Sequence, residues 1–112
     1  MNVTRKEIDG LVLLTIVEKD ANLTRSDRFK EIVLNEIESG SRNLIISFEN
    51  VEYLDSSFLG ALVAILKNLV PKNGKLTLIA LNSDIRNLFE LTRLDKIFDL
   101  KDSLKSALEG FK

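Results

Sequence analysis

Two short apolar segments with a helix-like stretch between them restrict the fold of this chain more than any other feature. "NLIISFE" (residues 43–49) and "KLTLIAL" (residues 75–81) are continuous apolar runs, which is typical of strands buried on both faces. Residues 56–70 lie between them, and this stretch has the composition of a helix. The order strand, helix, strand predicts a parallel pair joined by a helical crossover, and therefore an α/β fold.

The rest of the chain extends this alternation in both directions. Asp9-Gly10 lies between two strand-like segments and favours a two-residue hairpin turn. "KIF" (residues 96–98) is predicted to form a short edge strand. Four helices are predicted from apolar spacing and from residues that start or stop helices. The first covers residues 26–39 and ends at Gly40, and the second covers residues 56–70 and is closed by Pro71 and Gly74. The third is capped by Ser83, and the fourth is opened by Asp102 or Ser103. We expect one domain over residues 1–112, with a mostly parallel four- to five-stranded sheet, an N-terminal antiparallel hairpin and about four helices.

Composition excludes several classes of function. The 112 residues include no cysteine and no histidine, which excludes disulfides, Ser-His-Asp catalysis and histidine-containing zinc sites. The net charge of −1 provides no general attraction for nucleic acid or an anionic membrane. The N-terminus has no apolar signal region, and no apolar run is long enough for a membrane span. We expect a cytoplasmic protein that is not an enzyme and has no cofactor, no metal, and no nucleic-acid or membrane partner.

The predicted helix over residues 56–70 has two unlike sides. Its bulky apolar residues collect on one arc of the helix, which is suited to packing on a sheet. Small or polar residues form a strip on the other arc: Ser56, Ser57, Gly60, Ala61, Ala64, Lys67 and Asn68. Either another element of this chain covers the strip, or the strip is exposed and docks a partner protein. Lys67 and Asn68 favour water, and therefore favour exposure.

Two serines at the start of this helix have two compatible interpretations. One of Asp55, Ser56 and Ser57 is expected to act as the N-cap and to accept hydrogen bonds from the free N–H groups of the first turn. A serine here can also accept a phosphate, because a helix N-terminus provides unpaired donors and a positive dipole end. One residue can cap the helix while a serine beside it is modified.

"VEYLDSSFLGALVAILKNL" resembles the signature of the anti-sigma factor antagonists, which are small bacterial STAS domains. Their pattern is an apolar residue, then Asp-Ser-Ser/Thr-Gly-Leu-Gly, then an apolar helix. The resemblance extends over nearly the whole chain, since "GKLTLIALNSDIRNLFELTRLDKIFDL" and "DSLKSAL" resemble the family's later strands and helices.

The resemblance implies a phosphorylation switch. In the family, the unmodified protein binds an anti-sigma factor that is also a serine kinase, and a sigma factor is thereby released. The kinase phosphorylates the first serine of the motif, here Ser56, and a metal-dependent serine phosphatase restores the active form. The residues that the resemblance and the strip together assign to partner binding are Asn22, Asp55, Ser56, Ser57, Gly60, Ala64 and Lys67.

Two positions depart from the family pattern. Phe58 stands where the family usually has glycine, and on the helix it falls in the middle of the packing arc. Asn22 stands where the family often has an aspartate associated with partner contact, so the hydrogen-bonding capacity is kept and the charge is lost. Both changes are also compatible with a STAS scaffold subunit of a signalling complex that does not switch.

Two further classes fit the sequence less well. A response-regulator receiver domain would need an acidic pair, which Glu18 and Asp20 resemble, but the strand "KLTLIAL" is followed by Asn82 and Ser83 and not by the required lysine. A serine hydrolase without histidine would need a Ser-Lys or a Ser-Asp arrangement. Lys67 lies about three helical turns from Ser56, which is too far.

Overall fold

A five-stranded sheet with helices on both faces forms the body of the domain. The computed structural model describes residues 1–111. The strands are β1 (Val3–Ile8), β2 (Leu11–Ile16), β3 (Asp20–Ala21), β4 (Asn43–Ser47), β5 (Tyr53–Leu54), β6 (Lys75–Ile79) and β7 (Asp99–Lys101). The helices are α1 (Leu23–Glu38), α2 (Ser56–Leu69), α3 (Ser83–Leu91) and α4 (Leu104–Glu109). The sheet order is β1-β2-β4-β6-β7, in which only β1 and β2 are antiparallel. The predicted α/β fold, hairpin and helix number are confirmed.

The strand order explains the distribution of the helices. Each parallel strand lies next to the previous one in the same direction across the sheet, so right-handed crossovers place α1, α2 and α3 on one face. That face contributes Leu14, Leu44 and Leu78 to the main core, while Ile45 on the other face packs with α4. Because the order never reverses, the sheet has no switch point, where doubly wound sheets usually bind small ligands.

The hairpin turn and the edge strand have local explanations. Asp9 (φ 48°) and Gly10 (φ 83°) both have positive φ, as a turn that matches the twist of the two strands requires. The charged residues of β1 discourage pairing with another chain at this edge. Arg5 bonds to Glu36 of α1 and to Glu7, and these two bonds raise the pKa of its guanidinium above the ordinary value.

A second, two-stranded sheet of β3 and β5 was not predicted. The strands are parallel, with Asp20 opposite Tyr53 and Ala21 opposite Leu54. The N–H of Asp55 then donates to the carbonyl of Ala21 over 3.1 Å. Each strand has two residues, which is too short for any periodic pattern. This ladder brings the start of α1 beside the start of α2.

Two predicted helix starts were wrong, and asparagine is the reason in both. The first helix begins at Leu23 and not at residue 26, because Asn22 caps it. Ser26 lies within the first turns and is buried. The third helix is capped by Asn82 and not by Ser83, since the Asn82 side chain accepts from the N–H of Ile85 over 2.8 Å. Ser103 caps α4, as one of the two predicted alternatives.

The strand predicted at "KIF" was also wrong. Leu94–Lys96 form a 3-10 turn after Arg93, whose φ is 61°, and the strand begins later, at Asp99.

The end of α2 also differs from the prediction. The chain passes from Leu69 into a 3-10 turn that contains Pro71, so the proline lies inside the turn and does not close the helix directly.

Candidate partner-binding site

The carboxylate of Asp55 lies at the N-termini of two helices. The N–H of Phe58 in α2 donates to Oδ1 over 3.1 Å, and the N–H of Leu23 in α1 donates to Oδ2 over 2.9 Å. A negative charge is favoured at such positions by the unpaired N–H groups and by the helix dipoles. Of the three possible caps of α2, the structure selects Asp55. Both of its carboxylate oxygens therefore serve contacts inside the domain.

The two serines are consequently not used as caps. Ser56 is the first residue of α2 and is exposed, while Ser57 is half-buried. Within residues 1–111, neither hydroxyl forms a hydrogen bond, since the cap is provided by Asp55. The Ser56 hydroxyl is therefore accessible from solvent at the positive end of a helix.

Asn22 has a structural role at the start of α1. Its Oδ1 accepts from the N–H of Thr24 over 3.1 Å and from the Thr24 hydroxyl over 2.6 Å. The side chain is half-buried, so part of it remains open to a partner. The backbone bond between Asp55 and Ala21 places Asn22 close to the start of α2, although more than thirty residues separate them in sequence.

The small-residue strip of α2 is exposed over most of its length. Ser56, Gly60 and Lys67 are exposed, and Ala64 is half-buried between them. A Cβ added at Gly60 would meet no atom within 4 Å. One member of the predicted strip does not belong to the exposed row, because Ala61 is buried at 7% exposure. The other members of the strip are exposed or half-buried.

Phe58 fills the core at the position where the family usually has glycine. Its side chain is fully buried and stacks on Phe29 of α1, with 4.6 Å between ring centroids and 29° between ring planes. The expectation that Phe58 packs inward is confirmed. It presents no bulk at the surface beside Ser56, and it fixes α2 against α1. Leu59, which matches the leucine of the motif, is also buried.

Sequence reasoning missed a cleft and two exposed apolar side chains around Ser56. The cleft has a volume of about 450 Å³ and lies between α3 and the segment from β5 into α2. Leu23 is 66% exposed and Tyr53 is 57% exposed, next to the same segment. Leu23 precedes the helix predicted over residues 26–39, so no helical pattern placed it on a surface beside Ser56.

The charged groups of this region do not form a metal site. Within the part of the chain that the structure describes, no group of three or more Asp or Glu residues could hold a metal ion. Glu18 and Asp20 resemble the acidic pair of a receiver domain in sequence. The Glu18 carboxylate accepts from the N–H of Asn2 over 3.1 Å and lies 3.5 Å from the Arg25 guanidinium.

No helix within residues 1–111 has the length and apolar character needed to span a membrane.

A family model for the STAS domain matches residues 2–107. The chain belongs to the STAS domain family. It is 30% identical over 105 residues to a candidate anti-sigma factor antagonist of Thermotoga maritima, an alignment that covers 93% of this chain and 92% of the relative. It is also 30% identical over 73 residues to the anti-sigma-B factor antagonist of Staphylococcus aureus, which covers 65% of this chain and 68% of that protein.

Solved structures agree with this assignment. A crystal structure of a candidate anti-sigma factor antagonist from Thermotoga maritima has a TM-score of 0.89 at 28% identity and covers 96% of this STAS domain and 92% of that chain. SpoIIAA of Bacillus in its phosphorylated form has a TM-score of 0.76 at 16% identity and covers 99% of this chain and 100% of that chain. Because the identity to SpoIIAA is only 16%, this comparison shows a shared fold and nothing about function. The family assignment replaces the receiver and hydrolase alternatives.

Proposed function

We propose that this STAS domain is an anti-sigma factor antagonist whose partner binding is switched by phosphorylation of Ser56. The main support for the proposal is the exposed Ser56 at the N-terminus of α2. Its hydroxyl is free because Asp55, and not Ser56, caps the helix. The names of the relatives from Thermotoga maritima and Staphylococcus aureus support the same function. A Bacillus protein of this fold has been solved in phosphorylated and unphosphorylated forms, which supports the switch.

In the unmodified state, the strip of α2 docks an anti-sigma factor that is also a serine kinase, and a sigma factor is released. Gly60 and Ala64 let the partner approach the helix backbone closely, and Lys67 provides a charge at the far end of the strip. Asn22, Asp55 and Ser57 complete the surface around the acceptor. The kinase then modifies Ser56, and a serine phosphatase removes the phosphate. The protein has no enzymatic role in this cycle.

The size of the effect follows from where the phosphate would lie. Phosphorylation adds a charge of about −1.5 to −2 at the head of the docking strip. Leaving such a charge buried and unpaired against a partner costs about 2–5 kcal/mol. This cost corresponds to a loss of affinity of about thirtyfold to several thousandfold. One modified serine is therefore sufficient to release the partner without unfolding the domain.

The first experiment is to isolate the protein from its native cells, in growth and under stress, and to map phosphorylation sites by mass spectrometry. The proposal expects phosphate on Ser56 with an occupancy that changes with condition. Binding of the anti-sigma factor is then compared for Ser56→Asp, expected to weaken it, and Ser56→Ala, expected to keep binding and block modification. Asn35→Asp is the matched control, since it adds one negative charge at an exposed position of α1 outside the docking surface and is expected to leave binding unchanged.

Two results contradict the proposal. If Ser56→Asp binds the anti-sigma factor as tightly as the wild type does, the charge does not exclude the partner. If Ser56 carries no phosphate in any condition, the domain does not switch at this site. The alternative of a non-switching STAS scaffold subunit would then account for the exposed strip.

A further inference from the structure

The cleft beside Ser56 has apolar walls and an acidic rim. We infer that it receives a long cationic side chain, arginine or lysine, from the protein that docks over Ser56. This inference rests on the proposed function in one respect, which is that the docking protein is an anti-sigma factor. The cleft's preference for a cation follows from its own residues.

The walls of the cleft suit the methylene stem of such a side chain. Leu54 and Ile85 form a buried floor, and Leu88 of α3 is half-buried beside them. The ring of Tyr53 is exposed at the opening. Arginine and lysine bury their apolar stems along surfaces of this kind while the charged end group reaches polar partners.

The rim of the cleft carries carboxylates without a compensating charge. Glu52 and Asp84 are exposed and form no ion pair within residues 1–111, whereas the Asp55 oxygens are already bonded to two N–H groups. The residues that line the cleft include three acids and neither lysine nor arginine. Because partner surfaces are complementary in charge, the occupant of this cleft is expected to be positive.

The two walls of the cleft are held together before any partner binds. The side-chain amide of Asn82 donates to the carbonyl of Glu52 over 3.1 Å and to that of Val51 over 3.4 Å. The same side chain caps α3, in which Asp84 lies in the first turn. One asparagine therefore fixes α3 relative to the loop that carries Glu52, and the cleft is largely preformed.

The inference is tested by titrating the unmodified protein with a small peptide while recording its amide NMR spectrum. The probe is acetyl-Gly-Arg-Gly-amide, and the neutral control is the same peptide with citrulline in place of arginine. We expect saturable shifts at Glu52, Tyr53 and the first turns of α3 with the arginine peptide. The citrulline peptide, which has nearly the same shape, is expected to bind more weakly.

Variants of the protein give the decisive comparison. Glu52→Gln combined with Asp84→Asn is expected to weaken the arginine peptide about two- to thirtyfold, which corresponds to the loss of two surface ion pairs. Asp27→Asn combined with Glu90→Gln removes the same charge from exposed sites outside the cleft, and is expected to leave binding unchanged.

Three results would overturn the inference. The first is equal binding of the two peptides, and the second is an equal loss of affinity in both double variants. The third is the absence of a saturable shift at Glu52, Tyr53 and the first turns of α3. None of these results depends on whether Ser56 is ever phosphorylated. Failure of the cleft inference is therefore distinguishable from failure of the switch. Thermal unfolding of each variant checks that the cleft variants remain folded.

Discussion

Replacing Asp55 by asparagine tests whether one carboxylate holds the N-termini of α1 and α2 together. Asparagine is nearly the same size and is a good N-cap, so its side-chain oxygen can still accept from the N–H of Phe58. Its amide group would then face the N–H of Leu23, and two donors cannot bond to each other. The substitution therefore removes the bond to α1 and the negative charge, while the cap of α2 is kept.

The expected loss can be worked from these contacts. The 2.9 Å bond to Leu23 is charge-assisted but lies at the surface, so we assign it a net contribution of about 1 kcal/mol. Loss of a negative charge at helix N-termini adds about 0.3–1 kcal/mol. Asp55→Asn should therefore lower the free energy of unfolding by about 1–2 kcal/mol, and the melting temperature by about 4–8 °C. Urea unfolding followed by circular dichroism measures the change.

A second substitution isolates the bond between the two helices. Leu23 is the first residue of α1, where proline is favoured, and Asn22 before it is extended, with φ −121° and ψ −177°. Leu23→Pro removes the donor to Asp55 and little else, because the leucine side chain is 66% exposed. In this background, Asp55→Asn should cost about 1 kcal/mol less than it does in the wild type.

If Asp55→Asn costs the same in both backgrounds, the bond to Leu23 carries no stability and the coupling of the two helices is refuted. A control is Asn22→Ala, which removes the cap of α1 without touching Asp55 and is expected to cost about 1 kcal/mol in either Asp55 background. A coupling seen with Leu23→Pro and absent with Asn22→Ala would assign the effect to this one bond.

Two further substitutions in α2 separate stability from binding. Gly60→Ala should stabilise the domain by about 0.5–1 kcal/mol, because the site is helical and open, and should weaken anti-sigma factor binding, because the added methyl group lies on the strip. Unchanged binding in a pull-down with purified anti-sigma factor would remove Gly60 from the docking surface. Phe58→Ala should cost about 3–5 kcal/mol through loss of a fully buried ring stacked on Phe29, as measured by urea unfolding. A cost below about 1 kcal/mol would mean that the ring is not part of the core.

Local helix signals predicted the helices themselves better than their first residues. Apolar spacing located α1 and α3, but each starts at an asparagine cap that the sequence does not distinguish from nearby serines and threonines. Asn22 and Asn82 are selected because their side chains reach the free N–H groups of the first turn. The strand expected at residues 96–98 failed for a related reason. The left-handed conformation of Arg93 starts a 3-10 turn, and nothing in the residue type requires it.

The sequence by itself determined the α/β alternation, the hairpin turn at Asp9-Gly10, the two-sided character of α2 and the resemblance to the STAS family. Each depends on residue order and on local backbone preference, which the chain carries in any context. Only the tertiary structure decided that Asp55, and neither serine, caps α2, and that the same carboxylate reaches Leu23. It also decided that α3 forms a cleft beside Ser56. These features depend on the pairing of β3 with β5 and on the packing of α3, which join residues about thirty positions apart, and no local pattern encodes such distances.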